Sequence, residues 1–293
     1  MPAIPLRFDL NQHKDRLSVR IFFSEECLKY ASPGHPESPD RVRLAYEYLK
    51  NRFEIAEPSP ATEADLLLVH SEEHLKRLKN LDFFDFDSPP YPDIYKYASL
   101  SAGAAIAAAR EGGFSLMRPP GHHSGRSSVA GFCYLNNIAI AVKRLAKKTL
   151  IVDVDGHHGN GTEAIFLGDA RVVYVSLHRS PLYPGTGLQS QDNCFNYPLG
   201  AFCGDEVYLK TLETALGSTG RGGIEQAAIS AGFDAHESDP LASLGLTGHA
   251  YRRIGESISR LGVPVFAVLE GGYDGKELGP NVEQLLQGLA SKE

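Results

Sequence analysis

Short apolar runs rich in β-branched residues alternate along this chain with longer stretches of helical period, and that alternation constrains the fold more than any other feature. The runs at 19–23, 113–118, 149–155, 171–177, 226–232 and 263–269 read as strands. The stretches at 38–52, 71–80, 94–111, 133–148, 205–217, 247–261 and 278–290 read as helices, several opened near Ser, Asp or Thr and closed near Gly. Continuously apolar strands separated by helices are what a largely parallel sheet, covered on both faces, requires. The expected fold class is therefore α/β. With no internal repeat, low-complexity tract or long linker, and with the Pro-rich pieces at 56–60 and 88–92 only loop-sized, one domain over 1–293 is favoured over two. A chain of 293 residues that is 42% hydrophobic can bury a core of that size. The alanine-rich segment 101–110 reads as a helix whose small residues allow close packing.

Charge narrows the ligand. Lys and Arg number 29 against 36 Asp and Glu, a net charge of -7, which leaves no electrostatic footprint for a polyanion and argues against nucleic acid. A cationic or neutral substrate is easier to attract. The four cysteines, Cys27, Cys133, Cys194 and Cys203, form no CxxC pair and no disulfide framework, which suits a reducing cytosol. The first eighteen residues hold no apolar leader core, and no apolar run is long enough to span a bilayer, so a soluble cytoplasmic protein without a membrane partner is expected.

Polar residues recur immediately after the candidate strands. LIVDVDGHH places Asp153, Asp155 and His157 at one strand end, and SLMRPPGHH places His122 and His123 at another. Ser176 and His178 close VYVSLH, Asp234 closes ISAGFD, and Tyr273 follows VFAVLEGG. Ligands of an open parallel sheet bind outside the carboxyl ends of its strands, so groups far apart in sequence can converge there. Asp155 and His157 are spaced i, i+2, which on an extended segment turns both side chains to one side. With Asp234 they make an all N/O ligand set that leaves a position open for water; this fits catalytic zinc, with iron(II), manganese or cobalt as alternatives. An isolated Asp-x-His also suits a helix cap. The tandem His122-His123 follows a stiff Pro-Pro-Gly turn and suits a proton-handling pair, with Asp153 and Asn160 as candidate partners for the far ring nitrogens. GHHGNGT at 156–162 lacks the spacing and the lysine of a phosphate loop.

Taken together, HPESPDR (35–41), DLLLVHSEEHL (65–75), RPPGHHS (118–124), GFCYLNN (131–137), DVDGHHGNGT (153–162), SLHRSPLYPGTG (176–187), AGFDAHESDPL (231–241) and LEGGYDG (269–275) resemble the histone deacetylase family, which includes acetylpolyamine amidohydrolases and acetoin-utilisation proteins. Asn160 and the EGGY form look like its class II and bacterial branches. The resemblance implies an arginase-like fold around an eight-stranded, mostly parallel sheet. It implies one zinc per chain on Asp155, His157 and Asp234, and a monovalent cation, K+ or Na+, near Asp153 and Ser176. It also implies His123 as general base and acid, His122 with Asp153 as its electrostatic partner, Asn160 as the group orienting His123, and Tyr273 as donor to the oxyanion. Phe132 and Tyr183 would wall a narrow tunnel, with the Gly131 carbonyl near the substrate amide and Asp87 at the rim. The implied activity is hydrolysis of acyl groups from acyl-lysine peptides or proteins, or from small acylated amines.

Some positions depart from the commoner family pattern. Gly156 stands where a bulkier residue is usual, Ser124 where Ala is common, and Tyr183 where Phe is frequent, which bears on tunnel width and polarity. His236 sits two residues after Asp234, where related arginases place a second-metal carboxylate; one neutral imidazole is a poor replacement, so a mononuclear site is expected. Leu241 occupies a place where polyamine-selective relatives can carry an acidic gatekeeper, which leans toward acyl-lysine. The rival readings are an acetylpolyamine amidohydrolase and a binding module that keeps the pocket without the turnover.

Overall fold

The structure is a computed structural model that describes residues 19–219 and 222–291. Residues 1–18, expected to hold no apolar leader core, fall outside the described residues. Eight strands, β1 (Arg20–Phe22), β2 (Glu54–Ala56), β3 (Phe114–Ser115), β4 (Thr149–Asp153), β5 (Val172–Arg179), β6 (Cys194–Leu199), β7 (Gln226–Ala231) and β8 (Val265–Leu269), form one sheet in the order β2-β1-β3-β8-β7-β4-β5-β6. Every pairing is parallel. The helices are α1 (Pro39–Leu49), α2 (Glu63–Leu66), α3 (Glu72–Asn80), α4 (Ile94–Glu111), α5 (Asn137–Leu145), α6 (Asn160–Phe166), α7 (Gly204–Ser218), α8 (Gly248–Ser259) and α9 (Gly275–Ala290). Helix α9 packs on α1 and α8, and α7 on α8, while α4 packs on α5 and crosses β3 and β8. Among the described residues no helix is long and apolar enough to cross a membrane.

The central strands explain themselves: TLIVD of β4 and QAAISA of β7 are buried at every residue, so both faces must be apolar or internally bonded. Two strands escape the hydrophobic pattern. Strand β2 is only three residues long, and the edge strand β6 carries Asn196 and Pro198, the kind of residues an edge tolerates and an interior strand does not. Two short helices also escape it, α2 with a single turn and α6, which opens on the glycine-rich Asn160-Gly161. Helix α5 begins four residues later than its periodicity suggests, because the Asn136 side chain accepts from the Ala139 amide and sets the cap there.

The register aligns Asp153 of β4 with Ser176 of β5 and Ser230 of β7, and Ser230 with Val268 of β8. The segments leaving β4, β7, β8 and β3, four adjacent strands, therefore emerge side by side at one edge.

Candidate active site

The segment leaving β4 brings Asp155 and His157 to Asp234, which leaves β7, and one potential ligand atom from each lies within 4.8 Å of the others. His157 Nδ1 is 2.7 Å from Asp234 Oδ2 and 3.2 Å from Asp155 Oδ1. The other oxygens are held by backbone: Gly156 N–H donates to Asp234 Oδ1 at 2.7 Å, and Gly271 N–H to Asp155 Oδ2 at 2.8 Å. Both carboxylates are buried, and burial together with the Asp155 charge pushes Asp234 above the usual carboxylate range. Two buried acids that repel each other around one imidazole form a donor set that a dication would stabilise, so the residues fit a divalent metal. His236 is outside this cluster; its Nδ1 lies 2.9 Å from Ser238 Oγ.

Beside the cluster the two histidines lie with ring centroids 4.0 Å apart and planes tilted by 47°. His122 Nδ1 is 3.1 Å from Asp153 Oδ2, and His123 Nδ1 is 2.8 Å from Asn160 Oδ1. Their environments push them apart. Burial opposes a charge on His122, but Asp155 and Asp153 outweigh it and carry the ring up to about 10. Burial and the neighbouring His122 and His157 hold His123 well below the usual imidazole range. A neutral His123 that donates Nδ1–H to Asn160 keeps Nε2 free to accept. Asp153 is further tied by the Tyr174 hydroxyl at 3.0 Å. Ser176 donates to His178 Nδ1 at 2.9 Å, while His178 Nε2 donates to the Gly187 carbonyl at 3.0 Å. Burial pushes His178 down to about 4, consistent with that neutral tautomer.

The aromatic residues stand over this floor. Tyr183 lies edge-on to His123 at 5.1 Å and to His157 at 6.3 Å, and Phe132 lies edge-on to Tyr273 at 5.8 Å. Burial pushes the Tyr183 phenol up to about 12, so it stays neutral. Gly131 has φ +52, and a Cβ there would fall 2.5 Å from His123 Cδ2 and 3.1 Å from the Tyr183 ring. Gly131→Ala is therefore expected to lower stability by about 1–3 kcal/mol through overpacking. Denaturant unfolding checks it, and an unchanged midpoint would show that this loop yields freely.

The two residues expected at a tunnel rim are less tightly held. Asp87 is exposed, with its carbonyl accepting from His35 Nε2 at 3.1 Å, and Leu241 is half-buried with its N–H on Asp239 Oδ1 at 2.9 Å. The departures from the family pattern have local reasons. Gly156 has no room for a larger residue because a Cβ would meet Ala242 Cβ at 2.6 Å, and Ser124 spends its hydroxyl on the carbonyls of Ser128 and Tyr134 at 3.1 and 3.0 Å.

Sequence reasoning passed over three charged residues that hold the site. Glu270 is fully buried and accepts from the amides of Gly121 and His122 at 2.6 and 3.0 Å, which ties the His pair to the end of β8. Burial pushes its carboxyl up to about 7. Arg41 donates to the carbonyls of Glu270 and Gly272 at 2.5 and 2.7 Å, and its guanidinium stands 5.1 Å over the Tyr273 ring. Asp239 accepts from the Tyr273 amide at 2.7 Å. A charge placed directly after an apolar strand, as in VFAVLEGG, was the available signal for Glu270.

The fold and the site define a class: an α/β protein that gathers an Asp-His-Asp cluster fit to hold a metal, and a pair of histidines, at the carboxyl edge of a parallel sheet. Within that class the chain belongs to the histone deacetylase family, since the family described as "Histone deacetylase domain" matches residues 35–289. It is 38% identical over 289 residues to a probable deacetylase of Archaeoglobus fulgidus, an alignment covering 86% of this chain and 80% of that one. It is 38% identical over 208 residues to an acetylpolyamine amidohydrolase of Mycoplana ramosa, where 66% of this chain and 61% of the relative are covered. Among solved structures, the HD domain of HDA15 superimposes with a TM-score of 0.86 at 31% identity, covering 93% of this chain and 90% of that one.

Proposed function

We propose that this chain is a zinc-dependent amidohydrolase that removes acetyl and other small acyl groups from lysine side chains. The observation that carries the reading is the opposed pair of histidines, one bonded to Asp153 and the other to Asn160, set against the Asp155, His157 and Asp234 cluster. These three residues would hold the metal, which when bound supplies Lewis acidity to the acyl carbonyl and to the attacking water. His123 takes the water proton on Nε2 and returns it to the departing amine, without which an amine is a poor leaving group. His122, held against Asp153, places positive charge beside the developing oxyanion, and the Tyr273 hydroxyl donates to it. Phe132 and Tyr183 guide the aliphatic stem of the substrate past the Gly131 carbonyl, and Asp87 holds the substrate backbone at the rim. Asp153 and Ser176 contribute to a monovalent cation site behind the metal.

The polyamine reading is supported by the Mycoplana ramosa relative, whose printed name is acetylpolyamine amidohydrolase. Against it stands apolar Leu241 at the mouth. Turnover of acetyl-lysine peptides, longer acyl-lysine peptides, N-acetylspermidine and N-acetylputrescine distinguishes the readings. The expected result is a kcat/KM at least about tenfold higher on acetyl-lysine peptides, the size of discrimination that a single apolar contact of about 1–3 kcal/mol supplies. A clear advantage for the polyamines would move the chain to the rival activity, and no turnover on any substrate by metal-loaded protein would favour a binding module.

A further inference from the structure

One buried carboxylate joins two parts of the site that sequence places far apart. Asp239 Oδ2 accepts the Tyr273 amide at 2.7 Å, and its Oδ1 accepts the amides of Leu241 and Ala242 at 2.9 and 3.4 Å. Tyr273 lies 34 residues further along the chain, on the segment leaving β8. Ala242 is the residue whose Cβ fills the space over Gly156, between Asp155 and His157. The two oxygens of Asp239 thus fix, on one rigid plane, the backbone that carries Tyr273 and the backbone at Leu241 and Ala242.

We infer that Asp239 is a positioning residue for amide hydrolysis: it sets the reach of the Tyr273 hydroxyl toward the oxyanion and couples that reach to the Leu241 rim. This rests on the function proposed above. Asp239 is not among the metal-ligating cluster, and its contacts are to backbone amides, so its effect on chemistry must pass through the residues whose amides it holds. Both oxygens are engaged as acceptors, which no neutral isostere reproduces. In Asp239→Asn the side-chain amide must present N–H either to the Tyr273 amide or to the Leu241 and Ala242 amides, and that side loses its acceptor.

The test is a double-mutant cycle on the full chain loaded with zinc, assayed on an acetyl-lysine peptide. Asp239→Asn is expected to lower kcat about 10–100-fold, the cost of a displacement of about 1 Å at a reacting group, with KM changed far less and metal content equal to the parent. If it acts through Tyr273, adding Asp239→Asn to Tyr273→Phe should lower kcat by no more than about threefold further, because the hydroxyl it aims is already gone. A normal kcat for Asp239→Asn, or losses that multiply in the double variant, overturns the inference while leaving the function intact. Lost metal content in the single variant also overturns it, by placing the carboxylate's role at the metal cluster. A Tyr273→Phe protein with normal kcat removes the oxyanion assignment, and this inference falls with it. Asp239→Ser gives the same comparison should Asn disturb folding, and failure of both to fold would assign Asp239 to structure alone.

Discussion

Asp155→Ala and Asp234→Ala proteins are each expected to lose most of the bound divalent metal and all measurable amide hydrolysis. Each removes one donor from a three-residue cluster whose potential ligand atoms lie within 4.8 Å of one another. Loss of even an outer hydrogen-bond partner of a metal ligand costs about 10–100-fold in affinity, so loss of a direct oxygen donor should exceed that. The fold should survive, because alanine relieves a repulsion between two buried acids even as it orphans the Gly156 or Gly271 amide. Metal analysis after dialysis, with thermal unfolding on the same sample, separates metal loss from collapse. Full metal content in both variants would place the ion elsewhere.

Tyr273→Phe is expected to lower kcat by about 10²–10³ with little change in KM, the size seen when one oxyanion donor is removed. The ring should keep its place in the variant, because it is held by Phe132 at 5.8 Å, by the Arg41 guanidinium at 5.1 Å, and through its amide by Asp239. Metal content and stability should match the parent, since the hydroxyl is no part of the Asp-His-Asp cluster. Near-normal kcat on the best acyl-lysine substrate would show that the tyrosine is packing.

The sheet was legible where burial on both faces left short runs dominated by apolar and small residues, as in β4, β7 and β8. It was not legible at β6, where Asn196 turns its amide nitrogen to Glu163 and Pro198 occupies an edge, because neither residue is forced there by a two-sided core. The candidate site was legible for a topological reason: adjacent parallel strands release their chains at one edge, so Asp155, Asp234, His122 and Tyr273 converge without any sequence proximity. The residues that hold those groups in place were not legible. Glu270 reaches the Gly121 amide across 149 residues, and Arg41 reaches the Gly272 carbonyl across 231, and contacts between a side chain and distant backbone leave no periodicity to read. Glu37, paired with buried Arg118 at 2.7 Å across 81 residues, is a side-chain pair equally invisible to periodicity.

The most direct measurement is metal removal and return on the parent protein, followed by hydrolysis of an acetyl-lysine peptide. Metal-free protein, verified by metal analysis and by a thermal unfolding transition that stays cooperative though shifted to lower temperature, should show no turnover. Stepwise addition of zinc should restore activity and saturate at one equivalent per chain, with Asp155→Ala failing to respond. Turnover that persists at full rate in verified metal-free protein would contradict the account.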